Sequence, residues 1–322
     1  MDSIVLRGGT IIDGSGSPGY RGDVLLVGDQ IRAVGEVERG IAGREIDVAG
    51  LVVAPGFIDL HTHTVRCGHA TGAMEAYIEA AIARGITRFG ISDHSYWMVQ
   101  ATADHYAMHA SELSDYVADV QQLQQRYNRQ GDRPFQILLG MEMDYVPSRL
   151  VTARAEIARY PWDYLIGSVH NIGFEKLQEP DMYDFWRIED VCEIYFHFVG
   201  MMIRERFCDI VGHLDLPKKM GRMPDGGMLR YVEPLIPDLL ANNIAVEINT
   251  SGLDNPAQSF MPGWDVVEAL ASRGVPLTLG SDAHAPHHVG RHFELALDGF
   301  RRAGVKELVR FERRKMITVP IG

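Results

Sequence analysis

Seven short, near-continuous apolar runs alternate with amphipathic stretches, and this alternation constrains the fold more than any other feature of the chain. The runs are 51–60, 88–92, 136–141, 164–168, 209–213, 244–248 and 276–279. Apolar runs without inside–outside alternation suit parallel strands buried on both faces. Between them, 74–84 carries apolar residues at three-to-four spacing and stops at Gly85, a helix C-cap signal. Ser111 to Tyr127 repeats the pattern, with Ser111 as the expected N-cap, and 263–273 ends in the same way at Gly274. Seven strand-then-helix units predict an α/β chain, a (β/α)7 barrel with one unit fewer than the eight-fold TIM form.

The front of the chain reads differently. Residues 3–7, 9–12, 23–27, 30–34 and 45–48 are β-prone and are separated by Gly-rich turns at 14–19, Gly28-Asp29 and Gly40. They predict a small β module of about six strands, with a hairpin turn at Val27–Gln30. The expected division is residues 1–53 for this module and 54–322 for the barrel.

Composition narrows the function. Of 322 residues, 46% are apolar and 23% charged, enough for a large buried core. The net charge of −12 opposes general nucleic-acid binding. No apolar run approaches the roughly 20 residues that span a membrane, and residues 1–10 lack a secretory pattern. Cys67, Cys192 and Cys208 are too few for a disulfide framework and read as reduced thiols of a cytoplasmic protein. The expected partner is a small molecule, with neither nucleic acid nor membrane, and the oligomeric state is open.

Metal-competent residues gather where the predicted strands end. Run one ends in Asp59-Leu-His61-Thr-His63, with His69 in its loop. The next runs end at His94, Glu142, His170 and His213, and run seven ends in Asp282-Ala-His284. Barrel strands point their C-terminal ends at one face, where active sites sit. His61 and His63 fall on one face of a strand, and Asp282 and His284 repeat that spacing. Imidazole and carboxylate are ligands for Zn²⁺, Fe²⁺ and Mn²⁺. Seven His and two carboxylates are too many for one tetrahedral ion and suit three, with Glu142 bridging. A lone buried His is more often a hydrogen-bonded core residue; the joint placement at six of seven strand ends carries the metal reading. Cys67 lies inside the first motif and could be a ligand, but a small buried thiol is the expected reading.

The stretches His61-Thr-His-Thr-Val-Arg-Cys-Gly-His69, Gly90–His94, Gly140–Asp144, Gly167–His170, Gly212–Leu216, Glu247–Leu253 and Gly280–His284 resemble the PHP superfamily (polymerase and histidinol phosphatase), most closely its histidinol-phosphatase branch. The resemblance covers about residues 57 to 320. It implies three divalent ions (Zn, Fe or Mn) in a distorted barrel. The first would take His61, His63, Glu142 and Asp282; the second Glu142, His170 and His213; the third His69, His94 and His284. Residues 1 to 60 instead look like the start of amidohydrolase-superfamily enzymes such as D-aminoacylases, where a small β-sandwich precedes the His-x-His strand. That likeness leaves about 316–321 to pair with the module. Asp254-Asn255 stands where the family more often has a basic residue.

The expected activity is hydrolysis of a small phosphate monoester, L-histidinol phosphate first among them, by a hydroxide bridging the metals. Three divalent ions concentrate positive charge locally, which outweighs the diffuse surface charge at short range. Asp282, Glu142 and His284 are the expected catalytic groups, with Asp282 as proton shuttle. Lys218, Lys219 and Arg222 are expected to bind the phosphate, a solvated loop being the plain alternative. Asp215 is expected to orient a ligand imidazole. Trp97, Tyr145, Trp186 and Asp254 are rim candidates. Three other readings stand beside this one: a binuclear amidohydrolase acting on an amide or cyclic imide, a PHP phosphodiesterase acting on small nucleotides, and a catalytically inert, metal-stabilised binding protein.

Overall fold

A computed structural model describes residues 3–11, 19–28, 30–41, 43–53, 56–96, 106–128, 135–173 and 175–321. The turn expected at 14–19 lies largely outside the described residues. The chain divides into two compact units, residues 1–55 with 320–322, and residues 56–319.

The first unit is one five-stranded sheet. It comprises β1 (Ser3–Ile11), β2 (Tyr20–Val27), β3 (Gln30–Gly35), β4 (Arg44–Asp47) and β5 (Val52–Val53). The order is β3-β2-β1-β4, with β5 also paired to β1. The two runs read separately at 3–7 and 9–12 form the single strand β1, whose register shifts between Leu6 and Gly9. The β2–β3 hairpin pairs Val27 with Gln30. Arg7 ties the sheet together: it pairs with Glu45, and its Nη1 lies 2.7 Å from Asp23 Oδ2. The Arg7 guanidinium holds the Glu45 carboxyl below its usual range. Burial pushes Asp23 up, yet the Gly8 N–H and Arg7 outweigh it and leave it low. Groups lowered in this way stabilise above their unfolded pKa, near 4, and lose that contribution as pH falls. The protection factors of the β1–β4 amides, exchange corrected for its intrinsic pH dependence, should therefore fall on acidification below about pH 4. In Arg7→Met exchange should already be fast at neutral pH, and much of the acid dependence should be gone.

The second unit begins with β6 (Phe57–Asp59), α1 (Met74–Ala83), β7 (Ile86–Ile91), α2 (Leu113–Tyr127), β8 (Gln136–Leu139) and β9 (Glu142–Asp144). Next come α3 (Leu150–Ile157), β10 (Ile166–Ser168), the hairpin β11 (Asn171–Ile172) and β12 (Glu175–Lys176), α4 (Met182–Phe185) and α5 (Ile188–Arg204). Then follow β13 (Ile210–Val211), α6 (Leu229–Val232), α7 (Ile236–Asn242), β14 (Ala245–Asn249), α8 (Trp264–Ser272), β15 (Leu277–Gly280) and α9 (Phe293–Ala303). The last pair is β16 (Glu307–Glu312) and β17 (Lys315–Pro320), which form a two-stranded sheet with each other.

Two parallel sheets, β6-β7-β8 and β9-β10-β13-β14-β15, close into one ring. The Glu142 N–H donates to Ser92 O at 3.1 Å beyond the end of β7. On the other side Leu60 N–H donates to Leu279 O (3.1 Å) and His63 N–H to Ala283 O (2.9 Å). Because β8 and β9 are one strand interrupted at Gly140-Met141, the described residues close a seven-stranded parallel barrel. The strands are shorter than their apolar runs because the site residues at their ends leave the ladder for loops. Helix α2 is entered through a tight turn at Ala110–Glu112, where the Glu112 carboxylate accepts from His109 N–H at 2.7 Å. Ser111 lies inside that turn and does not cap the helix.

The barrel interior is filled by Tyr164, which is fully buried and donates from its hydroxyl to Leu60 O at 2.5 Å. A Cβ at Gly90 or Gly140 would sit 1.9 Å from the Tyr164 Oη or 2.3 Å from its Cζ, so both glycines are there to admit the ring. Strand one is clamped to strand seven by Asp59, whose carboxylate accepts from Ser281 N–H (2.9 Å), Ser281 Oγ (2.6 Å) and Gly290 N–H (3.0 Å). This clamp fixes His61 and His63 opposite Asp282 and His284.

Candidate metal centre

The strand ends bring the predicted ligands together. Glu142 is at the centre and is buried. Its Oε1 accepts from Ser168 Oγ (2.6 Å) and lies 2.9 Å from His213 Nε2 and 3.3 Å from His170 Nε2. Its Oε2 lies 2.7 Å from His94 Nδ1, 3.3 Å from His61 Nε2 and 3.7 Å from His63 Nε2. His63 Nε2 is also 3.1 Å from Asp282 Oδ1. The rings of His63 and His284 stack at 4.1 Å, and His69 packs on His284 at 4.5 Å. All nine predicted residues thus lie close together, with the ends of six strands contributing; seven of them line the cavity over the centre, while His61 and His63 reach Glu142 without lining it.

The grouping differs in several respects from the sets implied by the resemblance. His61, His63 and Glu142 present ligand atoms within 4.8 Å of one another, and so do His94, Glu142 and His170. On the outer side His94 groups with His63 and His284, while His69 groups with His284 and Cys67. His69 is the exposed member of the set. Cys67 is fully buried, and burial pushes its thiol up to about 12.

The residues fit metal ions. The buried atoms His61 Nε2, His94 Nδ1, His284 Nε2 and Glu142 Oε2 have no hydrogen-bond partner, although His94 Nδ1 and Glu142 Oε2 are only 2.7 Å apart. Buried polar atoms are almost always satisfied, and a cation among these converging atoms would satisfy them together. Charge supports this. Burial would raise Glu142, but His94, His61 and His170 hold it well below the usual carboxylate range. Asp282 is held low against burial by His61, His63 and His284. Burial, reinforced by neighbouring imidazoles, pushes His63 down to about 3 and His284 well below its ordinary value. The inner imidazoles are shifted the other way: against burial, Glu247, Glu142 and Asp282 hold His61 well above its ordinary value, and Glu142 and Asp144 raise His170 to about 10, so an ion bound there takes the place of protons on these rings.

The cavity over this centre has a volume of about 230 Å³. Besides the centre's His69, His94, Glu142, His170, His213, Asp282 and His284, it is lined by Gln178, Lys219, Ser251, Asp254, Asn255, His288 and Arg291. Of the three expected phosphate-binding cations, only Lys219 reaches it. Lys218 is turned inward by the tight turn Leu216–Met220 and is 2% exposed; its Nζ lies 2.7 Å from Asp215 Oδ2 and donates to Ser259 Oγ at 3.2 Å. Arg222 lines a separate recess with Trp186. Asp215 binds Lys218 and the Gly263 N–H (3.0 Å) and touches no ligand imidazole. Tyr145 is buried against Phe207, away from the rim. Trp97 lies outside the described residues. Removing one partner of a fully buried pair leaves the other charge stranded, at about 3–5 kcal/mol. Lys218→Met should therefore lower the denaturant midpoint sharply, whereas Arg222→Ala should leave both stability and KM close to the parent.

Several functional residues escape a reading of the sequence. Glu247 accepts from His61 Nδ1 (2.7 Å) and from His213 N–H (2.9 Å). Asp144 accepts from His170 N–H (2.9 Å), and Asp93 accepts from His94 N–H (2.9 Å) and from Thr64 Oγ1. Arg291 donates to Ser281 O (2.9 Å) and Asp282 O (2.8 Å) and pairs with Asp254 (3.1 Å). The available signal was a carboxylate inside an apolar run, as at Glu247 within 244–248.

The family model for the PHP domain matches residues 59–251. A probable histidinol-phosphatase of Deinococcus radiodurans is 33% identical over 264 residues, 81% of this chain and 98% of that protein. The chain belongs to the PHP domain family. It is a metal-dependent phosphatase of the branch that those relatives define. Among solved structures, histidinol phosphate phosphatase from Lactococcus lactis, complexed with zinc, L-histidinol and phosphate, aligns with a TM-score of 0.67 at 21% identity. The alignment covers 81% of this chain and 98% of that one, a likeness of fold. A D-aminoacylase of Alcaligenes xylosoxydans xylosoxydans is 55% identical over 60 residues, which are 19% of this chain and 12% of that protein. No described helix is long and apolar enough to cross a membrane.

Proposed function

We propose that this PHP enzyme hydrolyses L-histidinol phosphate to L-histidinol and phosphate at a three-metal centre held by His61, His63, His69, His94, Glu142, His170, His213, Asp282 and His284. The carrying observation is the gathering of all nine at the strand ends around Glu142, with buried atoms there lacking hydrogen-bond partners. When bound, divalent ions supply Lewis-acid polarisation of the phosphoryl oxygens and offset charge developing in the transition state. Lys219 adds a protein cation for the phosphate, its Nζ steadied by Gln178 Oε1 at the cavity wall. Asp282 Oδ2 is held by Asn249 Nδ2 (3.3 Å) and Ser251 Oγ (3.2 Å), while Oδ1 faces His63 Nε2 at 3.1 Å; Asp282 is the candidate proton shuttle of this reading. Asp254 and Asn255 at the mouth border the space left for the leaving alcohol.

The test is a phosphate-release screen of metal-loaded protein with L-histidinol phosphate, other monoesters, small diesters and N-acyl amino acids. Preferential release from L-histidinol phosphate with three ions per chain supports the reading. Hydrolysis of N-acyl amino acids with two ions per chain would replace it by an amidohydrolase. The D-aminoacylase match, limited to 12% of that protein, does not carry that activity here.

A further inference from the structure

Glu247 is a charged residue in the middle of a fully buried strand, β14, and is itself 1% exposed. Its two oxygens are directed at two different strand ends. Oε1 lies 2.7 Å from His61 Nδ1, and Oε2 accepts from the His213 backbone N–H at 2.9 Å and from Asn249 Nδ2 at 3.3 Å. Asn249 Nδ2 also lies 3.3 Å from Asp282 Oδ2. One carboxylate on strand six therefore links strands one and five, and Asn249 carries the network on to strand seven. The barrel wall is shaped to let it do so. A Cβ at Gly280 would fall 2.0 Å from Glu247 Oε1 and 2.7 Å from His61 Cβ, so any side chain there would expel the carboxylate.

An acceptor on Nδ1 fixes the His61 proton on that nitrogen and frees Nε2 as the lone pair. His61 Nε2 is the unpartnered atom 3.3 Å from Glu142 Oε2. The outer imidazoles do not share this support: His69 Nδ1 and His284 Nδ1 are held by the backbone carbonyls of Cys67 (2.9 Å) and Asp282 (3.0 Å). His94 is held instead beside Glu142 Oε2.

We propose that Glu247 is the positioning residue of the inner pair of metal sites, those sharing Glu142, and that the outer site of His69, His94 and His284 does not depend on it. The inference rests on the three-metal reading. Carboxylate partners of ligand imidazoles typically contribute 10–100-fold in metal affinity. Glutamine at 247 offers one acceptor where two donors, His61 Nδ1–H and His213 N–H, must be met.

The experiment is competitive zinc titration against a chromophoric chelator, on the wild-type chain and on Glu247→Gln and Gly280→Ala. The wild type should take three ions. In both variants two of the three should weaken by about 10–100-fold while the third keeps its affinity. Unchanged affinity at all three sites, or equal weakening of all three, overturns the proposal. Should either variant fail to fold, ¹⁵N–¹H correlation spectra of the zinc-loaded wild type decide. A slowly exchanging His61 Nδ1 proton supports it, and an unprotonated Nδ1 overturns it. A wild-type chain that takes up no zinc overturns the metal reading itself, an outcome separate from three ions bound with Glu247 indifferent.

Discussion

Glu142→Gln is expected to lower kcat for phosphate release by roughly a thousandfold or more and to empty the two sites that share the carboxylate. The argument is one of hydrogen-bond sign. Glu142 Oε1 accepts from Ser168 and faces His213 and His170, while Oε2 faces His94, His61 and His63. Five imidazoles and one hydroxyl surround two oxygens, and every ligand nitrogen must present a lone pair to an ion. An amide in place of the carboxylate removes the bridging charge and points two N–H donors into that space. The fold has reason to survive, because Tyr164 and the Asp59 clamp hold the barrel without Glu142. The measurements are kcat with L-histidinol phosphate, metal content per chain and the far-UV CD melt. Near-parental turnover with three ions retained would remove Glu142 from the centre of the mechanism.

The barrel was legible because its seven strands are buried on both faces and therefore appear as unbroken apolar runs. The nine centre residues were legible because strands end where polarity resumes, and the parallel topology sends those ends to one face. What was illegible follows from the same physics. Whether a cation after strand five points into the cavity or into the core depends on the tight turn at Leu216–Met220. Sequence spacing alone does not show that Lys218 is swallowed by Asp215 while Lys219 looks outward. Asp215, two residues past His213, looked like a partner for an imidazole and is instead the counter-ion of that lysine. Arg291 lies in the loop after strand seven and reaches Asp254 in the loop after strand six. No local pattern announces a pairing made by chain segments about forty residues apart. The long apolar runs also promised longer strands than form, since residues near the site give up ladder hydrogen bonds to aim their side chains.

Stripping the metals should lower the melting temperature steeply. The rings of His63 and His284 stack at 4.1 Å, those of His63 and His94 lie tilted at 4.3 Å, and Glu142 Oε2 and His61 Nε2 are buried without hydrogen-bond partners, a crowding that bound ions would stabilise. An ion held at a thousand times its dissociation constant adds about 4 kcal/mol to the folded state. For a chain of this size about 1 kcal/mol moves the melting temperature by roughly 2 °C. Each emptied site should thus cost roughly 8 °C, by combining these two figures. The loss arises at the mouth of the barrel, because the Tyr164 core and the Asp59 clamp involve no metal-facing atom. Chelator treatment followed by calorimetry should therefore show a lowered transition that zinc restores, with phosphate release returning in step. Hydrogen exchange should localise the loosening to 61–71, 168–172 and 281–292 and leave the β1–β4 amides unaffected. If the metal-free chain melted at the same temperature as the loaded one, the buried, unpartnered nitrogens would have some other satisfaction. The centre would then not be the cation site that its geometry describes.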